Sequence, residues 1–94
     1  TAAKAALVGL TQSLALEVVQ DGITVNLVAP GLIATSSQFD FEARSAAAGP
    51  AGRSGTPAEI AECAAFLASE SASFVTGAVL VADGGHNLPE SWKS

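Results

Sequence analysis

Two short apolar runs, each ending in a glycine-containing turn and each preceded by a stretch with helical periodicity, restrict this chain more than anything else in it. Residues 23–29, ITVNLVA, are rich in β-branched side chains, with polar Thr24 and Asn26 alternating against Ile23, Val25 and Leu27 before Val28 and Ala29 close the run. That pattern reads as a strand. Residues 78–82, AVLVA, are short, uniformly apolar and bounded by Asp83-Gly84-Gly85, as suits a strand buried on both faces. Ahead of the first run, Leu7, Leu10, Leu14 and Val18 recur at helical spacing and Val8, Ala15 and Val19 widen the stripe; the spacing predicts a helix over residues 1–20 with two faces to bury. Asp21-Gly22 supplies its stop, because glycine takes the left-handed conformation that ends helices. Ahead of the second run, Thr56-Pro57-Ala58-Glu59 combines a capping box with proline at the first helical position, and the helix it starts continues through Ile60, Cys63, Ala64 and Leu67 over residues 56–69. A right-handed crossover between the two strands places them in one parallel sheet.

The expected class is therefore α/β. Two parallel strands do not make a stable sheet by themselves, since each needs neighbours and covering helices. A chain of 94 residues that is 49% hydrophobic and only 14% charged fits the inner part of a larger domain. Between the strands, residues 36–55, SSQFDFEARSAAAGPAGRSG, are biased towards Ser, Ala and Gly and contain Gly49-Pro50. They read as a mobile lid with a short helix around residues 40–47.

Charge and cysteine content exclude several functions. Nine acidic residues against four basic ones give a net charge of -5, and Lys4, Arg44, Arg53 and Lys93 are scattered, so no basic face neutralises a nucleic-acid backbone. Cys63 is the sole cysteine and His86 the sole histidine, which rules out an intrachain disulfide and a Cys/His metal cluster; Cys63 reads as a small hydrophobe on its helix. No apolar run approaches the roughly 18 residues of a membrane span, and Thr11, Gln12 and Ser13 interrupt the N-terminal apolar stretch before any small-residue cleavage site. A soluble cytoplasmic protein, with no nucleic-acid or membrane partner, is the expectation.

The segment VNLVAPGLIAT, residues 25–35, carries the functional signal. In open parallel sheets ligands bind beyond the carboxyl ends of the strands, and here a strand stops at Pro30-Gly31 with a hydroxyl following at Thr35. Pro30 is expected to end the ladder, having no N–H to donate. Asn26, inside the strand, is expected to bridge backbone groups of neighbouring elements, and Asp83-Gly84-Gly85 to be a turn rather than a catalytic carboxylate.

Over nearly all of residues 1–85 the chain resembles the short-chain dehydrogenases/reductases, doubly wound Rossmann-type domains that use NAD(H) or NADP(H). Lys4 opens a long helix as the family's active-site lysine does; ITVNLVAPGLIAT is similar to its sixth strand and Pro-Gly turn, GRSGTPAEIAECAAFLAS to the helix after its substrate lid, and FVTGAVLVADGG to its last strand. The resemblance implies the C-terminal part of a doubly wound parallel-sheet domain, roughly the last third of a subunit. The family's tyrosine, four residues before its lysine, would fall just before Thr1, and its phosphate loop and catalytic serine further upstream. It also implies an NAD or NADP cofactor, a small alcohol or carbonyl substrate, and a homodimer or homotetramer held by the first helix and the last helix and strand. Carried over by position, Lys4 bonds the nicotinamide ribose hydroxyls and favours the ionised tyrosine, since a nearby cation lowers an acid's pKa. Pro30 and Gly31 shape the turn beneath the nicotinamide, where a side chain at Gly31 would block close approach. The Ile33 backbone meets the carboxamide, and the Thr35 hydroxyl bonds the carboxamide or pyrophosphate.

Two other readings stand beside this one. A chain without phosphate loop and tyrosine would be a non-catalytic oligomerising fragment, and Asp83-Gly84-Gly85-His86 faintly resembles the histidine end of an α/β-hydrolase triad, although no G-x-S-x-G elbow accompanies it. Neither the lid nor the tail at residues 86–94, with Trp92, names a substrate.

Overall fold

The computed structural model describes residues 2–31, 33 and 40–88. Helix α1 spans Ala2–Val18 and tightens into a 3-10 turn at Val19–Asp21. Gly22 ends it with a φ of 74° and an N–H donated to the Val19 carbonyl at 3.2 Å, the left-handed stop that Asp21-Gly22 predicts. Strand β1 (Leu27–Pro30), helix α2 (Asp40–Ala48), helix α3 (Pro57–Leu67) and strand β2 (Val79–Ala82) follow, with a 3-10 turn at Glu70–Ala72 before β2. β1 and β2 pair in parallel, Leu27 opposite Val79 through Pro30 opposite Ala82.

Strand β1 is shorter than the sequence predicts, because side chains replace the ladder at its start. Asn26 donates its Nδ2 to the Val75 carbonyl at 3.0 Å and accepts the Ala78 N–H on Oδ1 at 3.0 Å, while the Val25 N–H donates to Thr76 Oγ1 at 3.1 Å. The Asn26 amide thus stitches the entry of β1 to the entry of β2, and regular pairing begins one residue later. At the other end Pro30 closes β1 as its last residue, paired with Ala82. The Leu27 and Gly31 N–H groups point to β2, donating to Ala78 and Ala82 carbonyls at 2.9 and 3.2 Å, so the proline nitrogen faces the opposite edge, where its missing N–H costs no bond to β2.

Helix α1 turns its small residues inward. Thr11 and Ala15 are buried, and Thr11 satisfies its hydroxyl by donating to the Leu7 carbonyl at 2.8 Å. A Cβ at Gly77 would stand 3.7 Å from the Ala15 methyl, so the helix leans on the loop that leads into β2. The leucine line is left largely outside, with Leu7 48% and Leu10 55% exposed. The 20 residues Ala2–Asp21 are nevertheless long and apolar enough, by length and composition, to cross a membrane, which corrects the expectation that no apolar run approaches a span: the alanines, leucines and valines outweigh the polar Thr11, Gln12 and Ser13 among them.

Among the described residues the buried apolar side chains are Ala15, Ala29, Ala46 and Ala72, none of them large. The 6719 Å² of accessible surface exceeds the roughly 5,000 Å² of a compact protein of this mass, and the radius of gyration of 15.4 Å exceeds the expected ~12 Å. β2 is correspondingly half-buried, with Val81 53% exposed, rather than covered on both faces as its uniform apolarity predicts. The layers that would cover it are not supplied by these residues.

Candidate functional site

Three segments meet beyond the carboxyl ends of the strands. Gly31 leaves β1 so close to the exit of β2 that a Cβ there would stand 2.7 Å from Asp83 Cβ and 2.9 Å from Asp83 Cα. Glycine is required by this approach of two backbones; its φ lies outside the left-handed region. Asp83 in turn organises the next turn, its carboxylate accepting the Gly85 N–H at 2.9 Å and the Asn87 N–H at 3.1 Å. Burial pushes this carboxyl upward, but the N–H groups of Asn87 and Gly85 outweigh that and hold it below its ordinary value. Asp83 is thus a turn-forming acceptor. Gly84, at a φ of 63°, packs so tightly that a Cβ would meet the Ala51 methyl at 2.7 Å, bringing the segment after α2 against the same turn.

A second junction lies one step further along the chain. Ile33 and Gly55 form an isolated parallel β-bridge, which ties the segment leaving β1 to the segment entering α3. Around Gly55 the side chains are closely interlocked. Arg53 donates Nη1 and Nη2 to Glu59 Oε1 and Oε2 at 2.8 and 2.9 Å, and Nη1 also reaches the Ser54 carbonyl at 2.9 Å. Glu59 completes the capping box, accepting the Thr56 N–H at 3.0 Å while Thr56 Oγ1 accepts the Glu59 N–H at 3.1 Å. The capping box is legible in Thr56 and Glu59; Arg53's part in it was not read, and the signal for it is an arginine in the loop six residues before the capping glutamate.

The hydrogen bonds from Arg53, helped by the Thr56 N–H, lower the Glu59 carboxyl from 4.5 to about 2. A carboxyl lowered in the folded state stabilises above its unfolded value and loses that contribution as pH falls through the folded one. Wild type and Glu59→Gln should therefore differ in thermal midpoint above pH 4.5 and converge as pH falls towards 2. The difference should be small and shrink in salt, because both side chains are exposed, 60% and 49%. A gap that stays constant across this range would exclude the ion pair as its origin.

A cleft of about 390 Å³ lies between this clasp and the exit of β2, lined by Arg53, Glu59, Ile60, Cys63, Ala82 and Asp83. Of the predicted site residues, Pro30, Gly31 and Ile33 lie at this edge. Pro30 pairs with Ala82, Gly31 abuts Asp83 and Ile33 bridges Gly55; Thr35 lies outside the described residues. Lys4 stands exposed in the first turn of α1. The last turns of α1 meet the loop at the amino ends of the strands through Ala15 and Gly77. Lys4 thus lies on a different element from the strand-exit turn. His86 is exposed in the turn after β2.

Comparison with known proteins decides what this edge belongs to. A family model described as "Enoyl-(Acyl carrier protein) reductase" matches residues 1–87. The chain is 50% identical over 88 residues to 3-oxoacyl-[acyl-carrier-protein] reductase FabG of Vibrio cholerae, covering 89% of this chain and 36% of the relative. Among solved structures, a mutant of a Serratia marcescens short-chain dehydrogenase/reductase superposes with a TM-score of 0.80 at 38% identity, covering 88% of this chain and 35% of that one. The chain belongs to the short-chain dehydrogenase/reductase family. Acetoin dehydrogenase YohF from Salmonella typhimurium superposes still more fully, with a TM-score of 0.81 at 46% identity over 97% of this chain and 36% of its own. The fold is thus part of a Rossmann-type short-chain dehydrogenase/reductase domain, and the chain spans little more than a third of the relatives it matches. Family membership takes the place of the α/β-hydrolase alternative built on His86.

Proposed function

We propose that this chain forms the nicotinamide-side wall of an NAD(P)-dependent oxidoreductase that moves hydride between nicotinamide and a small alcohol or carbonyl substrate. The observation that carries the reading is the strand-exit turn, flush against Asp83 at Gly31 and tied to Gly55 at Ile33, in a chain that matches the family over residues 1–87. The donor set suits one end of such a cofactor. An exposed ammonium at Lys4, a side-chain-free Gly31 and the backbone at Ile33 suit ribose hydroxyls and a neutral carboxamide, whereas the sequence holds no G-x-G-x-x-G loop for the pyrophosphate. When bound, the nicotinamide supplies the carbon that gives or takes hydride.

Lys4 holds the ribose hydroxyls, and its charge is suited to lowering the pKa of the tyrosine that the family pairs with this lysine, bringing the phenol nearer to proton transfer at neutral pH. Pro30 and Gly31 set the turn beneath the ring, Ile33 meets the carboxamide through its backbone, and Thr35 adds a hydroxyl to the carboxamide or pyrophosphate. The outward leucines of α1, Leu7, Leu10, Leu14 and Leu16, together with Val81 on β2, suit a homodimer or homotetramer. The same burial accounts for the apolarity of α1 in a cytoplasmic enzyme.

The test is a chimera in which these residues replace the matching third of the Vibrio cholerae reductase. It should turn over 3-oxoacyl thioesters or small ketones with NADH or NADPH. A chimera that folds and assembles, yet neither binds nor oxidises either nucleotide, would overturn the reading.

A further inference from the structure

Gly55 bridges Ile33 from the middle of a short segment whose two flanks are gripped by charged side chains. On one side Arg53 Nη1 holds the Ser54 carbonyl at 2.9 Å; on the other Glu59 Oε1 holds the Thr56 N–H at 3.0 Å; and the two side chains are joined by paired hydrogen bonds of 2.8 and 2.9 Å. The planar guanidinium and carboxylate fix distance and orientation together, which a single point contact does not. Because both are exposed, the pair adds little to global stability. What it controls is local: where the 54–56 backbone stands, and therefore where its bridge partner stands. The same pair lines the cleft that Ala82 and Asp83 also line.

We propose that Arg53 and Glu59 are positioning residues for the reaction: paired across Gly55, they hold the Gly55–Ile33 bridge and thereby set the position of the Ile33 backbone that faces the nicotinamide carboxamide. This rests on the reading of Ile33 as a cofactor-side residue. It assigns a role in cofactor binding to two side chains that act through the Ile33 backbone.

The chimera provides two independent readouts. The first needs no cofactor: hydrogen exchange of the peptide containing Ile33 should quicken in Arg53→Gln and in Glu59→Gln, although position 33 is distant in sequence from either substitution. The second is kinetic: KM for the nicotinamide nucleotide should rise about tenfold, within the ~10²-fold that remote misplacement can cost, with kcat changed less. The double variant should be no worse than the more damaging single one, since the pair acts as a unit, and Arg53→Lys should recover only part of the loss. Unchanged exchange at Ile33, with faster exchange confined to residues 54–57, would overturn the proposal whatever the kinetics. Faster exchange at Ile33 with unaltered KM would overturn the positioning role by removing Ile33 from the cofactor, while nucleotide turnover by the parent chimera would still uphold the wider reading.

Discussion

Lys4→Ala, introduced into the chimera, should lower turnover by roughly 10²–10⁴-fold, the range over which a positioned proton-transfer system acts, with almost no change in thermal midpoint. The two halves of that expectation have separate causes. Lys4 is exposed in the first turn of α1, and alanine is the best helix former, so the substitution should change folding stability by no more than about 0.5 kcal/mol. Under the proposed role of Lys4, turnover depends on a different quantity, the pKa of the family's tyrosine in the remaining part of the chimera. Removing the cation raises that pKa, so the residual activity should have its rising limb displaced to higher pH. Lys4→Arg keeps the charge but replaces a compact ammonium by a planar fork, and should restore the pH profile better than the rate. Near-normal turnover in Lys4→Ala would remove Lys4 from the mechanism.

Gly31→Val should lower the thermal midpoint of the same chimera by several degrees even without nucleotide, and Gly31→Ala by less. A Cβ at this position meets Asp83 Cβ at 2.7 Å and Asp83 Cα at 2.9 Å. The Cα is backbone and cannot swing aside, so the strand exits must move apart, at the ~1–3 kcal/mol typical of overpacking. Asp83 would carry that movement into the turn it caps at Gly85 and Asn87. Gly9→Ala is the matched control: it lies within α1 with nothing within 4 Å of the added carbon, and should stabilise by up to ~1 kcal/mol. If Gly31→Val left the nucleotide-free midpoint unchanged and raised only KM, the lack of a side chain would serve the cofactor alone and the contact with Asp83 would be slack. The family resemblance assigns this glycine to the approach of the nicotinamide. In the structure the nearer obstacle is the neighbouring strand.

The outward face of α1 shows how far pattern can mislead about direction. The line Leu7, Leu10, Leu14 and the line through Ala15 are both apolar at helical spacing, and hydrophobicity alone favours burying the leucines. Within these residues the reverse occurs: Thr11 and Ala15 are buried and the leucines stay largely outside. The loop bearing Gly77 lies beside Ala15, which an added Cβ at Gly77 would meet at ordinary contact distance. Large apolar residues on the far side then serve surfaces other than this small sheet.

What the sequence determined by itself is the set of features whose physics is local. Thr56, Pro57 and Glu59 start α3 because the orphan N–H groups of a helix start are satisfied by side chains three residues apart. Gly22 stops α1 because only glycine takes a positive φ without cost. The order of helices and apolar runs calls for a parallel pair because the connection between the strands allows little else. What only the tertiary structure decided depends on register between segments far apart in the chain. The contact of Gly31 with Asp83, the bridge from Ile33 to Gly55, the inward nitrogen pattern that admits Pro30 to the ladder and the inward face of α1 all follow from which residue stands opposite which. A shift of one position along the strands would dissolve every one of these contacts while leaving each helix cap and turn intact, since register belongs to the pair of strands and caps belong to single segments.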